Sequence, residues 1–200
     1  MNNTTVTSAA RKRVSIRKYT DNPLSREQID SILDTAGRAP SPWNLQPWRV
    51  IVVTEPELKQ QLMAAAYGQP QVGAAAAVFV VASDMTDTLK SVEETVHPGM
   101  QDRATEVADG IRATMNKMDA QALANWGFAE SNIFLCYLLL AIEEAGLGSS
   151  PMLGFDPAKV KELLGLADDV TLPALVAVGE PAEEGFSQFR HPLSRWVTYR

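Results

Sequence analysis

Several residue types and motifs that would indicate a function are scarce or missing in this chain of 200 residues. Cys136 is the only cysteine, so an internal disulfide framework is excluded and a reducing compartment is indicated. The two histidines, His97 and His191, stand far apart, and no metal-ligand spacing occurs. Both glycine-rich phosphate-binding motifs, G-x-G-x-x-G and the Walker loop, are also missing. The sequence therefore predicts no metal site and neither of these phosphate cradles.

Charge and hydropathy exclude two further classes of protein. The chain has 18 basic and 24 acidic residues, a net charge of −6, which does not indicate a nucleic-acid binder. The most apolar run, residues 72–82, is too short to span a bilayer, and the first residues lack the layout of a signal peptide. With 46% hydrophobic and 21% charged residues, the composition suits one globular domain. We expect residues 1–200 to form a single cytoplasmic domain with neither a nucleic-acid nor a membrane partner.

The stretch 38–48 holds three prolines and two tryptophans. Proline fixes its own φ and restricts the preceding residue, so the stretch is predicted to be a stiff loop. The hydroxyl of Ser41 and the amides of Asn44 and Gln46 stand on this loop. Amides serve a ligand that both donates and accepts hydrogen bonds. The alternative is a proline-rich connector whose tryptophans anchor it to the core.

A second candidate site is the run from Arg13 to Arg17. In an extended chain, Arg13, Ser15 and Arg17 share one side. Two guanidinium groups around a hydroxyl suit a phosphate, because arginine binds phosphate through its planar fork. The alternative is a solvated basic edge.

Apolar periodicity and capping residues predict most of the secondary structure. Helices are predicted at residues 5–12, 25–37, 54–68, 119–145 and 156–165, and strands at 50–53, 74–82 and 172–178. The first strand is apolar on both faces and is therefore expected to be buried. The helix over 119–145 is apolar over most of its girth, which indicates burial in the core or against a second subunit.

The remaining segments lack a regular pattern. Residues 69–71 and 146–154 are predicted to be loops, and 83–117 to hold helical pieces and loops, with a possible role as a flap over a pocket. The tail over 188–199 is expected to be an extended arm that pairs with a sheet edge, its own or a partner's. Glu130 on the long helix is expected to be an exposed carboxylate unless a site lies beside it.

Three motifs in this order resemble the flavin-dependent nitroreductase family, over nearly the whole chain from Arg13 to Arg195. They are Arg13-x-Ser15-x-Arg17-x-Tyr19, Ala39-Pro40-Ser41-Pro42-x-Asn44-x-Gln46-Pro47-Trp48 and Gly146-Leu-Gly148-Ser149-Ser150-Pro151-Met152-x-Gly154-Phe155-Asp156. The resemblance implies an α+β fold, with a mixed central sheet flanked by helices and a C-terminal extended arm. It also implies a homodimer with two FMN molecules at the subunit interface. NAD(P)H would be a transient co-substrate, and a small molecule would accept the electrons.

The resemblance also assigns residues to the phosphate end of FMN. Arg13, Ser15 and Arg17, with the backbone of Val14, would hold the phosphate, the ribityl chain and the pyrimidine edge. Arg190 would be the second phosphate arginine. A guanidinium near N1, that of Arg17, would stabilise the reduced ring and raise its potential.

Further residues would surround the flavin ring. Those expected from the partner subunit are Pro40, Ser41, Pro42 and Asn44. Gln69 or Gln71 would meet the polar edge of the ring, and the sequence does not decide which. The residues expected along the N5 edge are Pro151, Met152, Leu153 and Gly154, and the N–H of Leu153 would donate to N5. Glu130 stands where relatives often place a glutamine near the flavin, so its role is open.

Other positions also depart from the family pattern. Many relatives have histidine or arginine in place of Val14, serine in place of Pro42, and a basic residue in place of Gln188. The first change preserves a backbone contact, the second loses a hydroxyl, and the third weakens the phosphate end of the site. Residues 84–119 match the family least.

The sequence assigns no catalytic side chain, because it shows no Ser/His or Cys/His pair and Cys136 stands on an apolar helix. The chemistry is then expected to rest on the flavin. Hydride would pass from NAD(P)H to a nitroaromatic or quinone-type acceptor in a ping-pong reaction. The alternatives are reductive dehalogenation, flavin fragmentation, and a non-catalytic flavin-binding or flavin-storage protein.

Overall fold

A four-stranded antiparallel sheet forms the centre of the protein in the computed structural model, which describes residues 5–200. The strands are β1 (Trp48–Val53), β2 (Ala77–Ser83), β3 (Gly148–Met152) and β4 (Thr171–Gly179), in the order β1-β2-β4-β3. A parallel bridge joins Ser15 to Ser149 of β3, and an antiparallel bridge joins Tyr19 to Pro181. The predicted α+β class is confirmed, and within residues 5–200 the parallel pairing of the sheet is confined to the bridge at Ser15.

Nine α-helices surround the sheet within the described residues. They are α1 (Val6–Lys12), α2 (Arg26–Ala36), α3 (Pro56–Ala65), α4 (Pro70–Ala74), α5 (Met85–Lys90), α6 (Val92–Thr95), α7 (Ala104–Met115), α8 (Ala120–Glu144) and α9 (Pro157–Leu164). Short 3-10 helices occur at Pro42–Asn44, Pro98–Arg103 and Leu193–Arg195. The predicted helix starts are confirmed: Ser25 and Gln28 form a capping box, and the side chains of Asp119 and Asp156 cap α8 and α9.

The core lies on both faces of the sheet. One layer packs α3 and α9 against the sheet, and its largest buried side chains include Leu62 and Leu175. The other layer packs α2 and α8 against the opposite face, around Phe79, Phe134 and Leu138. Every residue of β2 is buried, which agrees with the predicted strand over 74–82. The sheet is therefore covered on both sides by helices.

The prediction that residues 50–53 are buried on both faces is wrong. β1 is an edge strand, and Val53 alone among its six residues is buried. Val50 and Val52 pack against one layer and Ile51 against the other, but only partly. The apolar residues on the two faces of β1 therefore contact the two core layers, but β1 is not enclosed between two neighbouring strands.

Helix α8 spans the face of the sheet and contacts all four strands. It is the one helix in the described part of the chain that is long and apolar enough to cross a membrane, with a mean hydropathy of 1.2. The core helix of a soluble protein meets the same criterion. The contacts with every strand identify α8 as this protein's core helix. Its outer side still leaves Phe128, Ile133 and Tyr137 more than one third exposed.

Two of the predicted loops have regular structure. Residues 69–71 lie at the start of α4, because Pro70 supplies a helical φ at the first position, where no N–H is needed. Residues 148–152 form β3, because they pair with β4 over five residues. That pairing joins positions far apart in sequence. The helical pieces expected over 83–117 are present as α5, α6 and α7.

The tail does not pair with a sheet edge within the described chain. Beyond the 3-10 turn at Leu193–Arg195 it has no regular structure, and its apolar side chains face solvent. Phe189 is 87% exposed, Trp196 68% and Tyr199 88%. An arm that pairs with a partner's sheet stays a prediction.

Candidate functional site

The run that contains Arg13, Ser15 and Arg17 is held in an extended form against the sheet. The N–H of Ile16 donates to the carbonyl of Ser149 in β3 (2.9 Å). The hydroxyl of Tyr19 donates to the carbonyls of Ile16 (2.6 Å) and Ala177 (3.1 Å). Burial, and secondarily the charge of Glu183, raises the pKa of this phenol well above its usual range, so it remains a donor. These bonds hold the run beside Ser149, near the start of β3.

The chain that follows β4 turns back over this run and closes a cleft of about 250 Å³. The lining residues are Arg13, Val14, Ser15, Arg17, Phe186, Ser187, Gln188, Phe189 and Arg190. Gln188 pins the two segments together, because its Nε2 donates to the carbonyls of Ala10 (2.8 Å) and Arg13 (2.6 Å). The structure thus brings together the three polar residues of the N-terminal run and Arg190, which lies about 175 residues later in the chain.

Three arginines and no acidic residue line the cleft within residues 5–200, and Arg13 also lies near the carboxyl of Glu143 in α8. Nη1 of Arg13 is enclosed but has no hydrogen-bond partner among residues 5–200. Within residues 5–200, Nη1 of Arg190 donates only to the neighbouring carbonyl of Phe189 (2.9 Å), and Arg17 and Ser15 also line the cleft. A buried donor without a partner costs free energy that a charged acceptor would recover. The guanidinium groups of Arg13 and Arg190 and the hydroxyl of Ser15 therefore fit a phosphate group, and Arg17 adds a third positive charge to the same cleft.

A second group of candidates lies at the other end of β3. From Ser149 to Met152 the strand extends about 10 Å, at roughly 3.3 Å per residue. There the Nε2 of Gln69 donates to the carbonyl of Gly154 (2.7 Å). Gln71 is buried and its amide reaches both Gln69 and Met152. Strand β3 thus connects a cationic cleft to a turn that bears amides, and Leu153 in that turn is 74% exposed.

The stiff loop lies elsewhere in the described chain. Pro40, Ser41, Pro42 and Asn44 are not among the residues that line the cleft within residues 5–200. Ser41 Oγ accepts the N–H of Gln46 (3.0 Å), and the amide of Asn44 donates to the carbonyl of Thr95 in α6 (3.2 Å). Trp43, Asn44 and Gln46 all have positive φ, at 52°, 56° and 47°. The loop is therefore preformed, under backbone strain, and attached to the helices over 85–115.

Comparison with known proteins decides the family. The model of the nitroreductase family matches residues 10–180. This chain belongs to the nitroreductase family. A Thermus thermophilus protein named NADH dehydrogenase is 46% identical over 194 residues, which are 96% of this chain and 95% of the other. YdgI of Bacillus subtilis, assigned as an NAD(P)H nitroreductase, is 31% identical over 191 residues, 90% of each chain.

Solved structures agree with this family assignment. A protein of Exiguobacterium sibiricum, assigned as a nitroreductase and solved in complex with FMN, superposes with a TM-score of 0.90. It is 26% identical and matches 100% of this chain and 99% of its own. A nitroreductase-like protein of Streptococcus mutans superposes with a TM-score of 0.87 at 27% identity, over 97% of each chain.

Glu130 remains the least explained candidate in this nitroreductase-family chain. It lies on α8, and its Oε2 is enclosed without a hydrogen-bond partner in the described part of the chain. Burial raises the pKa of this carboxyl above its usual value. Glu130 does not line the cationic cleft, which is formed by residues of the segments 13–17 and 186–190. The expectation of a freely exposed carboxylate is wrong, because α8 presents this position half-buried.

Some residues of the cleft were not selected from the sequence. Phe186, Ser187 and Phe189 line it, and Glu183 accepts the backbone N–H of Arg17 (2.7 Å). Gln188 was expected only to weaken the phosphate end of the site. Its amide instead joins the segment after β4 to the N-terminal run through two hydrogen bonds. The aromatic residues that bracket Gln188 were a visible signal, but their position over the N-terminal run depends on the course of the chain after β4.

Proposed function

We propose that this protein is an FMN-dependent oxidoreductase that carries hydride from NAD(P)H to a small electron-poor acceptor of the nitroaromatic or quinone type. The observation that carries the proposal is the cleft in which the enclosed Nη1 of Arg13 has no hydrogen-bond partner within residues 5–200, beside Arg17 and Arg190. The nitroreductase family assignment, and the relative solved with FMN, support the same function. The cleft supplies the phosphate site that the missing glycine-rich motifs cannot.

The residues of this chain would bind and orient the cofactor. Arg13, Ser15 and Arg190 would hold the phosphate, with the backbone of Val14 along the ribityl chain. Arg17 would face the pyrimidine edge, where its charge favours the reduced ring. Bound FMN would supply the hydride transfer, with NAD(P)H and the acceptor using one slot in turn, so that the kinetics are ping-pong. Pro151, Met152, Leu153 and Gly154 would border the N5 edge, with the N–H of Leu153 as a donor.

We also infer a homodimer, formed from single domains of residues 1–200 in the cytoplasm. The outer side of α8 exposes Phe128, Ile133 and Tyr137, and the tail exposes further aromatic side chains. The stiff loop does not line the cleft of its own chain within residues 5–200, and Pro40, Ser41, Pro42 and Asn44 would instead line the flavin of the partner. A second copy would cover both apolar surfaces at once.

Anaerobic reduction tests this function. Purified protein reconstituted with FMN should show the absorption of oxidised flavin, and NAD(P)H should bleach it within one turnover. Adding a quinone should restore the absorption. With acceptor and NAD(P)H varied together, double-reciprocal plots should be parallel, whereas intersecting lines would mean two separate substrate pockets. Bound FMN that NAD(P)H fails to bleach would identify a flavin-storage protein and contradict the proposed activity.

A further inference from the structure

Gln69 and Gln71 form a chain of hydrogen bonds at the turn after β3. Gln71 is 4% exposed, and Gln69 is half-buried beside it. Nε2 of Gln71 donates to Oε1 of Gln69 (3.1 Å) and contacts Sδ of Met152 (3.3 Å). Nε2 of Gln69 donates in turn to the carbonyls of Gly154 (2.7 Å) and Ala66 (3.2 Å). The buried amide thus contacts the half-buried one, and the half-buried one holds the backbone.

The hydrogen-bond partners of Gln69 determine the orientation of its amide, that is, the positions of Nε2 and Oε1. An amide that is turned over exchanges its donor and acceptor atoms. In Gln69 this exchange would place Oε1 against the carbonyl oxygens of Ala66 and Gly154, and two acceptors cannot bond. Both N–H groups of Gln69 are therefore committed to the backbone. The N–H of Gln71 uses one of the two lone pairs on Oε1, so Gln69 offers an incoming ligand one acceptor and no donor.

We infer that Gln71 is a positioning residue that holds Oε1 of Gln69 in place as the hydrogen-bond acceptor for N3–H of the flavin ring. The inference rests on the proposed function. On the polar edge of oxidised isoalloxazine, N1, O2 and O4 accept hydrogen bonds and N3–H is the one donor. An amide that can only accept is matched to N3–H alone. Gln69 therefore contacts the ring, and Gln71 acts through Gln69.

The same bonds extend the effect of Gln71 to the turn along the N5 edge. Gln69 binds the carbonyl of Gly154, next to Leu153, whose N–H is the expected N5 donor. Without the donor of Gln71, the amide of Gln69 is held only through its bonds to the carbonyls of Ala66 and Gly154, so Oε1 is less firmly placed. Loss of Gln71 is then expected to loosen both the acceptor for N3–H and the tie to Gly154.

The exchange rate of the N3 proton tests the inference independently of catalysis. Wild-type protein and the variants Gln69→Ala, Gln71→Met and Gln71→Asn are reconstituted with ¹⁵N-labelled FMN, and N3–H exchange with water is followed by NMR. Gln71→Met matches the size of the native side chain, and Gln71→Asn keeps a buried amide that is too short to reach Gln69. Gln61→Met is the matched control, because Gln61 is exposed on α3.

Slow N3–H exchange in the wild type should become about tenfold faster or more in Gln69→Ala and in both Gln71 variants. The dissociation constant for FMN should rise about five- to tenfold, the scale of one hydrogen bond. Gln61→Met should change neither quantity. Unchanged N3–H exchange in either folded, FMN-loaded Gln71 variant would overturn the positioning role. Free exchange in FMN-loaded wild type would overturn the acceptor role, and a wild type that binds no FMN would overturn the proposed function itself.

Discussion

At the scale of single residues, Glu130 makes the clearest pH prediction. Burial raises its pKa in the folded chain, so folded protein binds this proton more tightly than unfolded protein does. The free energy of unfolding is then lowered as pH rises from the unfolded pKa through the folded one. Glu130→Gln should therefore stabilise the protein at pH 7 and have little effect near pH 4. Urea unfolding at both pH values checks this, and equal effects at the two values would contradict it.

At the scale of elements, the cleft depends on the pairing of residues 15–16 with β3, because this pairing holds one wall of the cleft in place. A Cβ added at Gly148 would lie 2.9 Å from Cβ of Ile16, which is too close for a stiff β-branched side chain to accept. Gly148→Ala should therefore displace residues 13–17, destabilise the fold by about 1–3 kcal/mol and weaken FMN binding. Gly110→Ala in α7 is the control, since its Cβ would meet open space. Unchanged FMN affinity in Gly148→Ala would show that the cleft does not depend on this pairing.

The helices of this chain were easier to predict from the sequence than its strands. N-terminal capping residues and apolar periodicity predicted α2, α8 and α9, because these signals lie within a few residues of one another. Strand β3 and the half-buried state of β1 were not predicted, since both depend on which strand lies alongside. Five of the residues that line the cleft were singled out by motif, namely Arg13, Val14, Ser15, Arg17 and Arg190, but the contact made by Gln188 was not predicted. Its amide binds backbone carbonyls of the distant residues Ala10 and Arg13, and no local pattern encodes that contact.

At the scale of the whole molecule, the exposed apolar surface predicts association. A folded chain rarely leaves Phe189, Trp196 and Tyr199 this exposed without a partner. Light scattering should give the mass of a dimer at micromolar concentration. Removal of residues 192–200, which spares Gln188 and Arg190, should shift the mass toward the monomer while circular dichroism stays unchanged. A full-length, FMN-loaded monomer at that concentration would contradict the proposed arrangement.

The phosphate site is tested most directly by titrating wild type, Arg13→Ala and Arg26→Ala with FMN and following the quenching of flavin fluorescence. Arg13 carries the enclosed guanidinium nitrogen that has no partner within residues 5–200, whereas Arg26 is paired with Asp30 on the exposed side of α2. Arg13→Ala should weaken binding by about 2 kcal/mol, the scale of a lost charge-assisted hydrogen bond, or about thirtyfold. Arg26→Ala should bind like wild type. Equal affinity of all three proteins would contradict a phosphate site in the cleft.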